Sequence, residues 1–345
     1  MERFYSFDLL KFIAIVLVVC YHSFCLGQGA VYDVCFPLFS LGVPLFFIVN
    51  GALLFNKALD TKKHYKKIVR IVLLTVIWTF GVILVIDFIE EKGLSFTDII
   101  KIAWYGDSKY VVNQYWFLKT LVMLYLFFPV LKRAFDVDWL NTKVFTLVLS
   151  FFVIGMSSAY LCHQTFNFFM GKPLSLEMKD YIPWYNFCKN TDYSYALAYF
   201  LLGGVSFRCG KRFSQLGFCL WLFLFLLAWG IGVCLAYMFR IEHTGWDACF
   251  NAYSSPMTFI MSFCLFFIFV MYKPISVLNS IIEGISKNTL GIYLVHGIVI
   301  YFTKPYVGET FVGLNILYSF AILFLSWGIV CFFKRVPYIR WIFKI

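Results

Sequence analysis

Apolar residues are gathered into ten runs separated by short polar stretches: 8–27, 35–55, 68–89, 115–131, 143–162, 193–207, 215–239, 256–272, 288–303 and 313–333. A helix needs about 20 such residues to cross a hydrocarbon layer roughly 30 Å thick. The pattern therefore predicts an all-α, polytopic membrane protein of about ten transmembrane helices, the sixth and ninth runs being the shortest. An even number of spans puts both termini on one side.

The charges test that arrangement. With both termini cytoplasmic, twenty of the 29 Lys and Arg residues fall on cytoplasmic segments and eight on outside loops, with Lys119 inside the fourth run. Positive charge is retained on the cytoplasmic side of membrane proteins, so the asymmetry supports ten spans. Composition agrees: 62% of residues are hydrophobic, 22% aromatic and only 14% charged, which overrules the two soluble domains that 345 residues could otherwise make. The net charge of +11 does not point to nucleic acid, because the basic residues alternate with apolar runs instead of forming a tract. Residues 1–30 read as a first span and not as a cleaved leader, since Asp8 and Lys11 would interrupt a leader's apolar region. The expectation is one transmembrane domain over residues 1–345, with no soluble domain appended, in the cell's inner (plasma) membrane.

The outside segments 90–114 and 163–192 carry Trp104, Tyr105, Tyr110, Trp184 and Tyr185. They fit partly folded lids or an interfacial aromatic belt. Most of the eleven cysteines lie in or beside apolar runs and read as buried thiols. Cys25, Cys35, Cys162, Cys188 and Cys249 lie near outside ends, where a disulfide is chemically open but its pairing is not assignable. None has zinc spacing, and no metal site is expected.

Ionisable residues inside a membrane span are costly and tend to mark function. The first run holds three: Asp8, Lys11 and His22. At 100° and 1.5 Å per residue, Lys11 and His22 differ by only ~20° around a helix and by roughly 16 Å along it. Asp8 lies ~40° from His22 on nearly the same stripe. The imidazole fits a proton relay, a packed hydrogen-bonding group or a catalytic base; its ordinary pKa near 6.5 suits the last. A second feature is the basic run from Lys57 to Arg70, in which Lys63, Lys67 and Arg70 recur at helical spacing. Lipid headgroups would favour such a ridge, as would a ligand with several phosphates such as coenzyme A. Further polar residues interrupt other spans: Asn50-Gly51, then Gln114-Tyr115-Trp116 with Lys119, then Asn288 and His296. Lys119 should face a partner or water, and His296 fits packing at least as well as catalysis.

Several familiar signatures are missing. No His precedes an Asp by five residues; His243 and Asp247 are one residue too close. Gly210-Lys211-Arg212 lacks the remainder of a phosphate-binding loop, and no Gly-x-Ser-x-Gly elbow occurs.

Taken in order, these segments resemble the integral-membrane acyltransferase family 3. Phe7-Asp8-Leu9-Leu10-Lys11 through Tyr21-His22 is similar to that family's first span, Asp-x-Leu-Arg followed ten residues later by His. Phe46-Phe47-Ile48-Val49-Asn50-Gly51 resembles its Phe-Phe-x-x-Ser-Gly segment, and Lys67-Ile68-Val69-Arg70 its Arg-x-x-Arg motif. Tyr115-Trp116-Phe117-Leu118 with Tyr125 and Pro129 resembles its fourth span, and Ser286 to His296 its Ser-x-x-(Tyr/Thr)-x-Gly-Ile-Tyr-x-x-His ending.

The resemblance implies an acyl-CoA dependent O-acetyltransferase. It would move an acyl group, commonly acetyl, from cytoplasmic acyl-CoA to a hydroxyl of a cell-surface polysaccharide or lipid-linked glycan, with acetyl-CoA as donor substrate and no permanently bound cofactor. Carried over by position, His22 is catalytic, Lys11 takes the place of a coenzyme-facing arginine, and Lys67 and Arg70 hold phosphates. Asp8, Asn50, Trp116, Lys119 and His296 are supporting candidates. Lys11 and Lys67 replace arginines and lose the bidentate fork, and Asn50 replaces a serine. The competing expectation is a transporter or flippase in which Asp8, Lys11, His22 and Lys119 line a polar pathway. A non-catalytic membrane partner of a glycan assembly complex is the third.

Overall fold

The computed structural model describes residues 5–24, 29–171, 194–210, 217–241, 253, 255–270, 279–307 and 311–337. Thirteen α-helices are present among them and no strand: α1 Tyr5–Ser23, α2 Ala30–Phe39, α3 Gly42–Phe55, α4 Thr61–Glu90, α5 Phe96–Tyr105, α6 Trp116–Val137, α7 Trp139–Phe169, α8 Ser194–Arg208, α9 Phe218–Ile241, α10 Pro256–Val270, α11 Asn279–Ser286, α12 Thr289–Thr303 and α13 Val312–Arg335. The described residues of each apolar run read from the sequence fall almost entirely on helix.

Six helical segments are long and apolar enough to cross a membrane: Tyr5–Ser23, Ala30–Phe55, Thr61–Glu90, Asn113–Val137, Phe218–Met238 and Val312–Arg335. The protein is thus an all-helical, multi-pass membrane protein. The remaining runs lie on α7, α8, α10 and α12. The last three have 15 residues each, about 22 Å at helical rise, which is short of the hydrocarbon thickness.

The structure refines two of these segments at the level of elements. The run 35–55 is two helices, broken at Ser40–Leu41, where the Ser40 hydroxyl turns back to donate to the Pro37 carbonyl at 2.7 Å. The segment 90–114 contains α5, capped by Ser95, whose hydroxyl accepts from the Asp98 amide. Phe96, Ile100 and Trp104 recur every fourth residue on α5, and all three are exposed. Such a stripe suits a helix lying in the membrane interface. The segment 172–193, with Trp184, Tyr185 and Cys188, lies outside the described residues, as do Cys25, Cys249, His243 and Asp247. Cys35 and Cys162 are free thiols.

The chain divides into two compact units, Met1–Tyr21 with Leu26–Ala58 and Ala134–Lys287, and His22–Cys25 with Leu59–Arg133 and Asn288–Ile345. In the first unit α3 and α8 cross with almost no space between their backbones. A Cβ on Gly51 would strike the Phe200 carbonyl, and one on Gly203 the Ile48 carbonyl. Small residues permit this approach where lipid offers no hydrophobic drive to association. The Arg240 Nε donates to Asp33 Oδ2 at 2.8 Å, and the Trp229 indole donates to the Val34 carbonyl, tying α9 to α2. Neither tie has a local sequence signature.

In the second unit α12 is buried along nearly its whole length, from Gly291 to Ile300. That is expected of a helix apolar on every face. It packs on α13, where Gly291 lies against Val330. The Trp78 indole of α4 donates to the Leu294 carbonyl at 2.8 Å, and the Tyr115 hydroxyl donates to the same carbonyl at 3.3 Å. The Lys334 ammonium donates to Asn288, the N-cap residue of α12, at 2.5 Å.

Candidate functional site

His22 occupies the last turn of α1 and is half-buried. Its neighbour Ser23 is fully buried, with its oxygen 2.7 Å from that of Ser319 on α13. The Ser319 hydroxyl donates to the Asn315 carbonyl at 2.9 Å, so Ser23 supplies the proton of the Ser23–Ser319 bond. This docks the last turn of α1 and fixes where the His22 ring stands. The ring centroid lies 5.4 Å from that of His296, with the planes tilted by 46°.

His296 is completely buried on α12. Its Nδ1 is 3.2 Å from the Ile292 carbonyl, one turn back. A carbonyl can only accept, so Nδ1 carries the hydrogen, and Nε2 of the neutral ring is an acceptor. Tyr293, on the preceding turn, sits 5.6 Å from the His296 ring and donates through its hydroxyl to the Gln114 backbone carbonyl. Gln114 lies in the 3-10 turn Asn113–Tyr115 and is buried. Sequence reading singled out His22 and His296 but gave Gln114 no role. A polar side chain opening an apolar run was visible, but its position beside His296 was not.

The basic ridge is placed differently from the expectation. Asp60 caps α4 through a bond from the Lys63 amide, and its carboxylate pairs with the Lys63 ammonium at 2.9 Å. Lys63 is consequently turned out, with 87% of its side chain exposed. The Asp60 carboxyl is held below its ordinary range, chiefly by that backbone bond. Lys67 and Arg70 instead lie half-buried on the side of α4 that carries buried His64, Ile68 and Ile71. The His64 Nε2 is 2.8 Å from the Tyr125 carbonyl, and the Lys67 ammonium stands 5.3 Å above the Tyr125 ring. Two cations of the predicted three remain together.

The supporting candidates divide. Asp8 is buried and accepts from the Ser286 hydroxyl at 2.6 Å within the first unit. Lys11 is half-buried on α1, as is Asn50 on α3. The Asn50 amide donates to the Phe46 carbonyl of its own helix at 2.8 Å. Trp116, half-buried, opens α6 two residues after Gln114. Lys119 is exposed, and its ammonium donates to the Trp104 carbonyl of α5 at 2.9 Å. It therefore braces α5 on α6. Among the described residues no group of His, Cys, Asp or Glu is arranged to hold a metal ion.

The residues brought together in the second unit can accept a proton and orient a small polar group inside a largely apolar setting. Comparison with known proteins gives that chemistry a family. The acyltransferase domain family matches residues 4–333, nearly the whole chain. No curated protein and no solved structure matches it. A match of that extent, on a chain of membrane helices, shows that the protein belongs to acyltransferase family 3.

Proposed function

We propose that this membrane acyltransferase is an O-acetyltransferase, taking an acetyl group from cytoplasmic acetyl-CoA and placing it on a hydroxyl of a cell-surface polysaccharide or lipid-linked glycan. The observation that carries the reading is the half-buried His22 ring, held at the end of α1 beside a second imidazole. As the hydroxyl oxygen bonds to the thioester carbon, His22 takes the hydroxyl proton. When the carbon–sulfur bond breaks, the imidazolium returns that proton to the departing thiolate, giving an O-acyl ester and free coenzyme A. The His296 ring stands beside that of His22, 5.4 Å away between centroids. Trp116 follows the turn that carries Gln114.

Lys67 and Arg70 serve as phosphate contacts, and Lys11, which takes the place of a coenzyme-facing arginine, as a further cation for the donor. On α1 the roughly 16 Å between Lys11 and His22 is comparable to the reach of a pantetheine arm. Ten spans within a single domain, both termini cytoplasmic and residence in the plasma membrane complete the reading. The surplus of Lys and Arg on the cytoplasmic segments supports this orientation. Asp8 and Asn50 act in it as local structural supports.

The transporter reading needs Lys119 in a polar pathway, and its exposed ammonium bonded to Trp104 counts against that. Purified protein given labelled acetyl-CoA and lipid-linked glycan extracted from a deletion strain should transfer label, whereas His22→Ala should not. Equal transfer by both proteins removes His22 from the mechanism.

A further inference from the structure

Among the buried polar atoms of the second unit left without a hydrogen bond are Nε2 of His296 and Nε2 of the Gln114 amide. Their characters are opposite. The histidine nitrogen is an acceptor, because its partner nitrogen donates to Ile292, and the amide nitrogen is a donor. They also belong to one cluster. Gly297 directly follows His296, and a Cβ there would collide with the Gln114 amide nitrogen. Tyr293 bridges from beside the His296 ring to the Gln114 backbone.

Buried polar groups in folded proteins are nearly always paired, and each exception calls for an explanation. One orphan could be incidental to packing. A donor and an acceptor left open in the same cluster, next to His22, fit a ligand that brings one accepting oxygen and one hydroxyl. A thioester carbonyl and an alcohol supply that pair.

We infer that the Gln114 side-chain amide is the oxyanion donor of the acyl transfer, and that His296 Nε2 accepts from a second hydroxyl of the glycan, orienting the sugar while the attacking hydroxyl gives its proton to His22. This assignment rests on the acyl-transfer reading centred on His22. As the alcohol oxygen attacks, the carbonyl π pair moves to oxygen, and the resulting oxyanion is met by an N–H already in place. A donor fixed before charge develops stabilises the transition state more than a mobile one does. The negative charge returns to re-form the carbonyl as the carbon–sulfur bond breaks, so Gln114 is unchanged over the cycle. Gly297 is part of the device, because any side chain there would push the amide aside.

The test uses the full chain in lipid nanodiscs, with [¹³C-carbonyl]acetyl-CoA and the extracted lipid-linked glycan. Gln114→Leu should lower kcat by about 10²- to 10³-fold, while KM for acetyl-CoA stays within about twofold and acetyl-CoA still binds by calorimetry. The infrared carbonyl band of bound acetyl-CoA should lie below its solution position in the wild type and return to it in the variant, which a merely structural role would not produce. Gln114→Glu, with the same shape but no amide donor, should lose the same activity, and it replaces Gln114→Leu should that variant fail to fold. A wild-type kcat with an unshifted band overturns the assignment. Should His22→Ala be inactive while the Gln114 variants transfer normally, the oxyanion role alone fails; should His22→Ala transfer normally, the underlying reading fails.

Discussion

The imidazoles of His22 and His296 lie 5.4 Å apart, centroid to centroid, although 274 positions separate them in the chain. In the proposed reaction His296 is a neighbour that orients the sugar while His22 takes the proton. His296→Phe keeps the volume and the apolar fit while removing Nε2. It should lower kcat for label transfer by about 10²-fold, the scale of loss when a substrate is misplaced. Acetyl-CoA binding should persist. Full activity in this variant would return His296 to a packing role.

The cation pair on α4 makes a second prediction, with its control on the same helix. Lys67→Ala and Arg70→Ala should each raise the Kd for coenzyme A about tenfold, equivalent to roughly 1.4 kcal/mol, and the losses should shrink as salt is added. Lys63→Ala should bind normally, because that side chain is exposed and paired with Asp60. Isothermal titration of the three variants decides it, and a loss at Lys63 as large as that at Arg70 would argue for a diffuse basic surface.

Close backbone approach between α3 and α8 sets a third expectation. Gly203→Ala forces a methyl group against the Ile48 carbonyl. Overpacking of this kind typically costs about 1–3 kcal/mol, and the backbones must separate to relieve it. Gly81→Ala on α4 meets nothing within 4 Å and replaces a flexible residue in mid-helix, which usually stabilises by roughly 0.5–1 kcal/mol. Thermal inactivation in detergent should therefore move in opposite directions for the two.

The cap of α5 responds to acid. Asp98 is held below the ordinary carboxyl range, first by the Ser95 hydroxyl that donates to it at 2.5 Å. A carboxyl lowered by folding contributes stability above its unfolded pKa, about 3.9, and loses it as pH falls through the lower folded value. Amide exchange in the first turn of α5 should quicken below about pH 3.9. Ser95→Ala should abolish most of that pH dependence.

Hydropathy was enough to place the long apolar helices, because a run of about 20 apolar residues has few other uses, whereas α5 and α11 lie outside the ten runs. It misjudged their ends where polar residues continue a helix. Apolar length began α4 at residue 68, but the helix starts at Thr61, since Asp60 caps it and lysines are good helix formers. The same cap draws Lys63 outward, which spacing alone did not reveal. Asp33 was passed over because its partner, Arg240, lies 207 residues away on another helix. Gln114 was visible only as a polar residue at the edge of an apolar run. What distinguishes it, an unpaired amide nitrogen against Gly297, exists only after folding.

The exposed aromatic stripe of α5 has a mechanical consequence. Phe96 and Trp104 are 74% and 75% exposed, and rings of this kind settle at the boundary between headgroups and acyl chains. Because Lys119 fastens the Trp104 backbone to α6, a stripe held at that boundary would also set the depth of the helix that follows Gln114. Thinner or thicker lipid should then change how far the histidine pair is immersed, so that activity should depend on bilayer thickness.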